Sequence, residues 1–238
     1  MSKKKIITMV AAALLLLGLS TVVGIKTYSV FSEREKESSP LIPKCTVILD
    51  AGHGGFDPGK IGVNNALEKD INLIITKKLK FLLEANDVQV IMIREEDKGL
   101  YQESDSNKKS ADLKKRVEII NSSDAVIAVS IHQNSFPEEK YKGAQVFYHN
   151  KSPEGKILAE MLQEQIKKTI NDGNNRLAKS NESYYMLKKT ECPLVIVECG
   201  FLSNWSEADL LTTESYQDKM AWSIHLGILS YLNKYVYN

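Results

Sequence analysis

Thr46-Val-Ile-Leu-Asp-Ala-Gly-His-Gly-Gly55 joins a short, β-branched apolar run to a glycine-rich loop. The run has no polar face, so it reads as a buried strand. Downstream, 67–86 carries Ile71, Ile74, Ile75, Leu79, Leu82 and Leu83 on one helical face. A second strand is predicted over 88–93, and a polar loop leads from Arg94 to a helix over 110–122. Strands follow at 125–131 and 144–148, then a helix over 153–171 and a short strand over 184–187. A strand over 193–199, apolar except for Glu198, and a helix over 216–234 close the chain. Strands alternate with helices, and several strands lack an in/out pattern. That combination predicts a single α/β domain whose sheet is covered by helices on both faces.

The composition fits such a domain. The chain has 238 residues, 43% hydrophobic and 26% charged, which suffices for one sizeable core and is unlike a disordered chain. Its net charge of +1 averages two unlike parts. Residues 1–32 hold four lysines and no acid, and the remainder holds 27 basic against 30 acidic residues. A slightly acidic body argues against nucleic acid as a partner, because phosphate binding needs a concentrated basic face. Three cysteines, Cys45, Cys192 and Cys199, make no even-numbered disulfide framework. Cys192 and Cys199 would stand about 20 Å apart along one strand, beyond disulfide reach, and read as small buried apolar residues.

Lys3-Lys4-Lys5 precedes an uncharged apolar run from Ile6 to Ile25. About 20 helical residues span roughly 30 Å of hydrocarbon, and the lysines stay on the cytoplasmic side. The rest of the chain is therefore expected to be exported. Residues 1–32 read as a signal or anchor segment, fitting a membrane anchor and a cleaved, secreted form equally. Residues 33–44, closed by Pro40-Leu-Ile-Pro43, read as a linker, and 45–238 as the folded domain.

Four polar residues stand where strands end or helices begin. His53 follows the first strand by three residues, Glu68 opens the first helix, His132 closes the third strand, and Glu198 sits near the end of the last. Ligands collect at the carboxyl ends of strands in α/β sheets, so His53, His132 and Glu198 can share one crevice. The first turn of the helix brings Glu68 to the same place. Two imidazoles, one carboxylate and an open fourth position suit catalytic zinc, with a spare carboxylate as general base. Plainer readings stay open: a strand-end histidine is often only hydrogen-bonded, and the helix dipole favours Glu68 without any metal. Glu198 resists such a reading, because a carboxylate inside Leu194-Val-Ile-Val-Glu-Cys-Gly200 is expensive to bury unpaired. The glycine-rich loop lacks Gly-Lys-Ser/Thr and dinucleotide spacing. His149 and His225 read as structural.

Four blocks carry a family resemblance. Asp50-Ala-Gly-His-Gly-Gly-Phe-Asp-Pro-Gly59, Leu67-Glu-Lys-Asp-Ile-Asn-Leu73, Ser130-Ile-His-Gln-Asn134 and Val197-Glu-Cys-Gly-Phe-Leu-Ser-Asn204 resemble the signature blocks of zinc-dependent N-acetylmuramoyl-L-alanine amidases, in order and spacing. Arg94 with Asp97, and Leu113-Lys-Lys-Arg-Val117 with Asn121, resemble further family positions. The resemblance implies a catalytic amidase domain over 45–238 with a central, mostly parallel six-stranded sheet. It implies zinc held by His53, Glu68 and His132, and Glu198 as the catalytic carboxylate. Asn134 and Arg116 are further candidates for substrate contact or for support of the metal site.

Within the family the resemblance is greatest to sporulation amidases, in which stem-peptide removal from spore-cortex peptidoglycan precedes muramic-δ-lactam formation and prepares germination. It implies peptidoglycan as substrate, action in the cell wall or between the forespore membranes, and a protein activator. Gln133 departs from the family, which more often has a small or apolar residue there. Between Tyr148 and Arg176 there is room for one helix only, so the inhibitory helix of some relatives is not expected. Two other functions fit the same residues: a silent peptidoglycan-binding or regulatory module, and a zinc peptidase cutting within the stem peptide.

Overall fold

The computed structural model describes residues 45–237, and before them residues 2–7, 9, 18, 20–22, 25 and 26. The chain forms two units, 1–43 and 44–238. In the first, the described residues are helical apart from Ser2, while most of the apolar run and the whole of the 33–44 linker lie outside the described residues. Among the described residues no helix is long and apolar enough to cross a membrane.

The second unit runs β1 (Thr46–Ala51), α1 (Glu68–Glu84), β2 (Gln89–Met92), α2 (Lys108–Asn121), β3 (Ala125–Asn134), β4 (Gln145–Tyr148), α3 (Pro153–Ile170), β5 (Lys179–Ser180), α4 (Tyr185–Lys189), β6 (Leu194–Phe201), α5 (Trp205–Leu211) and α6 (Glu214–Tyr235). Six strands form one sheet in the order β2-β1-β3-β6-β4-β5. Only the β4–β6 pair is antiparallel. Successive strand residues serve opposite cores. Val47, Leu49, Val129, Val195 and Val197 pack with α1, α3 and α6, whereas Ile48, Ala128, Leu194 and Ile196 pack with α2 and α4. This double covering is why the strands show no in/out pattern. Of the apolar stripe on α1, Ile71, Ile75, Leu79 and Leu83 are buried, while Ile74 is exposed.

The chain passes from β1 through α1 to β2 on one side, then through α2 to β3 on the other. The carboxyl ends of β1 and β3 therefore border a topological switch point, where the connections diverge and leave a crevice. α3 is the one helix between β4 and β5. It starts on Ser152, whose side chain accepts from Gly155 N–H, with Pro153 in the first turn, and it stops at Asn171 with φ 53°.

Three details differ from the sequence expectation. The segment at 184–187 is not a strand but enters helix α4. Tyr185-Met-Leu-Lys-Lys189 has no β-branched residue, and Met186 and Leu187 are buried against α2 and the sheet. The fifth strand, β5, is instead Lys179–Ser180, two exposed residues with no apolar signal. α5 was not expected; Asn204 caps it by accepting from Glu207 N–H.

Where α6 crosses α3, a Cβ on Gly227 would stand 2.6 Å from Leu162 Cδ2 and 3.2 Å from Leu162 Cα. Gly227→Ala is therefore expected to lower stability by about 1–2 kcal/mol, although alanine gains roughly 0.5–1 kcal/mol in helix propensity. Urea unfolding measures the difference, and a stabilised variant would show that the two helices part without strain.

Candidate metal centre

β1 ends in a loop whose carbonyls are held by two buried guanidinium groups. Arg94 donates to Ala51 O (2.8 Å) and Gly52 O (3.0 Å). Arg116 donates to Ala51 O (2.9 Å), to His53 O (2.7 Å) and to the carboxylate of Asp50. So clamped, His53 adopts φ 62°, a left-handed conformation that costs a non-glycine residue about 1 kcal/mol or more. Gly52 cannot carry a side chain, because a Cβ would stand 2.2 Å from the His132 ring. Gly59, at φ 68°, likewise leaves room for Glu68 Oε2, 2.6 Å from where its Cβ would be.

The remaining groups converge from neighbouring elements. β3 runs on to Asn134, so His132 lies within the strand and pairs in register with Glu198 on β6. Glu68 enters from the first turn of α1, its Oε2 accepting from Lys60 N–H (2.7 Å). Glu68 Oε1 lies 3.2 Å from His53 Nε2 and 3.0 Å from His132 Nδ1. On the far side of the His53 ring, Nδ1 meets Asp57 Oδ2 at 2.9 Å. Burial would raise the Glu68 pKa, but hydrogen bonds from both imidazoles hold it far below the carboxylate range. His132 is raised by Glu68 against the effect of its burial. Beside them Glu198 is 7% exposed, and its Oε2 is buried without a hydrogen-bond partner. Burial, with the nearby charge of Glu68, pushes its carboxyl up to about 7. These four residues, with Asn134 and Tyr184, line a cleft of about 430 Å³.

One ligand atom each from His53, Glu68 and His132 lies within 4.8 Å of the others. His53 faces a carboxylate at both ring nitrogens, yet a neutral imidazole donates through only one. Lone pairs converging with too few protons between them are the donor set that a divalent cation satisfies, and nitrogen with carboxylate oxygen suits zinc. The residues present therefore fit such an ion.

Arg116, a sequence candidate for substrate contact or support, is 1% exposed and enclosed by Asp50 and Asp112. It reaches the site only through the His53 carbonyl. Asn134 is half-buried at the cleft, its Oδ1 accepting from Ser135 N–H. His225 is buried on α6 beside Asn86, and His149 lies in a separate cavity by the start of α3. Sequence reasoning did not single out Asp57 or Asn72. A carboxylate four residues after His53 was the available signal for Asp57, since metal-binding histidines are commonly oriented by one. Asn72, one turn after Glu68 on α1, had the i, i+4 spacing as its signal.

A switch-point crevice holding a His–Glu–His group that could hold a metal ion, beside a desolvated carboxylate, is an arrangement suited to hydrolysis. The sequence profile of the N-acetylmuramoyl-L-alanine amidases matches residues 47–230, and the chain belongs to that family. It is 40% identical over 200 residues to the germination-specific N-acetylmuramoyl-L-alanine amidase of Bacillus subtilis (strain 168), covering 83% of each. Among solved structures it resembles the CwlD amidase from Clostridioides difficile in complex with the GerS lipoprotein. That likeness has 46% identity and a TM-score of 0.77, and covers 79% of this chain and 98% of the other. It also resembles an N-acetylmuramoyl-L-alanine amidase from Clostridium difficile 630, with 33% identity, a TM-score of 0.72, and coverage of 80% and 98%.

Asp50 is fully buried; burial would raise its pKa, but Arg116 and the Ser130 hydroxyl more than offset this and lower it. A depressed carboxylate stabilises above its unfolded pKa of about 3.9 and loses that contribution as pH falls through the lower folded value. Arg116→Met strands the Asp50 charge, so a loss of roughly 3–5 kcal/mol is expected at pH 7. The gap between the two proteins should narrow as pH falls towards about 4, because protonation relieves the stranded charge. Urea unfolding across pH checks this, and a gap independent of pH would show that charge pairing is not what Arg116 supplies.

Proposed function

We propose that this amidase is zinc-dependent and hydrolyses the amide joining the lactyl group of N-acetylmuramic acid to L-alanine in peptidoglycan. The observation that carries this reading is the convergence of His53, Glu68 and His132 within 4.8 Å, beside a buried, unpartnered Glu198. His53, Glu68 and His132 would hold the ion. Zinc, when bound, supplies Lewis-acid polarisation of the amide carbonyl and acidifies the attacking water. Glu198 takes a proton from that water as its oxygen bonds to the lactyl carbon. It returns the proton to the alanine nitrogen as the carbon–nitrogen bond breaks. Burial of Glu198 disfavours its charged form, which suits it to take up the proton and hold it for the alanine nitrogen. Asp57 fixes the His53 ring through Nδ1, and the clamped loop holds its backbone.

The likeness to the germination-specific enzyme of Bacillus subtilis supports a role in spore-cortex maturation before germination, outside the cytoplasmic membrane. The solved Clostridioides difficile relative is in complex with a lipoprotein, which supports a protein partner for this chain as well. The N-terminal lysines and apolar run support export, with the chain tethered or released.

Purified protein incubated with peptidoglycan and zinc is expected to release stem peptides beginning with L-alanine, read by mass spectrometry. Glu198→Gln should keep one bound zinc and lose about 10²–10⁴-fold in turnover. His53→Ala and His132→Ala should lose the metal first. A cut between amino acids would mean a peptidase, and zinc bound without any cut would mean a binding module. An active Glu198→Gln variant would remove the proton-transfer role.

A further inference from the structure

Gln133 follows His132 on β3, and its side chain is buried. Its backbone N–H donates to Glu68 Oε1 (3.0 Å). Its Nε2 donates to Asn72 Oδ1 (3.1 Å), one helical turn beyond Glu68 on α1. That bond decides which way the Asn72 amide faces. With Oδ1 engaged by Gln133, Asn72 Nδ2 turns to the Gly52 carbonyl (3.1 Å) and lies 3.5 Å from Glu68 Oε1. Gln133 thus meets the Glu68 carboxylate directly through the main chain and indirectly through Asn72. Any residue other than proline could make the first contact; the second needs an amide of this length.

The other end of the same amide is unfavourable. Gln133 Oε1 is buried without a hydrogen-bond partner. A buried acceptor left unpaired destabilises the fold, and an apolar side chain of similar size would avoid it. The advantage of an amide at this position therefore lies at Nε2.

We infer that Gln133 is a positioning residue: through Asn72 it holds the Glu68 carboxylate towards both histidines and so tightens the binding of a divalent cation. Here Glu68 is taken as a metal ligand, as proposed above. Groups that orient metal ligands typically change affinity by about 10–100-fold.

The test is zinc affinity, measured on the full chain by competition with a chromogenic chelator, alongside urea unfolding of the metal-free protein. Gln133→Met is expected to weaken zinc binding by about 10–100-fold while the metal-free protein unfolds in the same urea range. Adding Gln133→Met to Asn72→Ala should cause no further loss, since the link is already broken. If Gln133→Met does not fold, Gln133→Asn, one methylene too short to reach Asn72, is expected to show the same weakening. Unchanged affinity, losses that multiply in the double variant, or a loss that only tracks the urea midpoint would each overturn the inference. An unaltered protein that binds no zinc would overturn the metal reading itself; zinc bound equally with and without Gln133 would overturn this inference alone.

Discussion

Two buried cations hold the His53 loop in place. Arg94 and Arg116 are each 1% exposed, and a guanidinium in the interior is tolerable only when its N–H groups are paired. Their partners are the carbonyls of residues 51–53, which leave the sheet just where β1 ends, the carbonyls of Lys69 and Glu96, and the carboxylates of Asp50 and Asp112. Burial and the neighbouring Arg116 charge lower the pKa of Arg94, while Asp50 and Asp112 raise that of Arg116 against burial. The same contacts that make these cations acceptable fix a loop in which Gly52 N–H also donates to Ile131 O and Gly54 pairs with Asp57. A histidine kept at positive φ is a consequence of that over-determination.

Sheet topology supplies the rest of the arrangement. Alternation along β3 puts Ser130 and His132 on the same face as Ala128, and along β6 it puts Glu198 with Ile196. Ser130 steadies Asp50, which steadies Arg116, so the chain of contacts behind His53 begins on the strand that presents His132. Glu68 arrives from the opposite helical layer and meets both imidazoles at the crevice. His132 and Glu198 therefore sit on strands and Glu68 on the first turn of a packed helix, while His53 sits on the clamped loop, and this preserves their spacing better than mobile loops would.

Much of this was legible in the linear chain. Runs such as Val195-Ile-Val197 identify doubly covered strands because nothing polar relieves them, and a carboxylate set among them at Glu198 stands out for the same reason. Tyr184 to Leu187 was misleading because an aromatic pair suits a strand, whereas burial of Met186 and Leu187 against α2 selects a helix. Lys179 and Ser180 carry no signal, since their pairing depends on where Phe147 and Tyr148 lie. Asp57 stands between Phe56 and Pro58, and Asn72 between Ile71 and Leu73, so beyond their four-residue spacing from His53 and Glu68 their significance comes from the folded distance to His53 and Gln133. Gln133 was noticeable as an unusual neighbour of His132, but its link to Asn72 exists only once β3 packs on α1.

The short β5 has a bearing on how these molecules behave in a crowd. It pairs with β4 at Phe147 and Tyr148 alone, and Asn181 then turns the chain away, its side chain accepting from Ser183 and Tyr184 N–H. A margin only two residues long, with Lys179 exposed, offers little template for the strand of another copy. This side of the sheet is thereby poorly suited to seeding intermolecular β-association, even where the protein is concentrated.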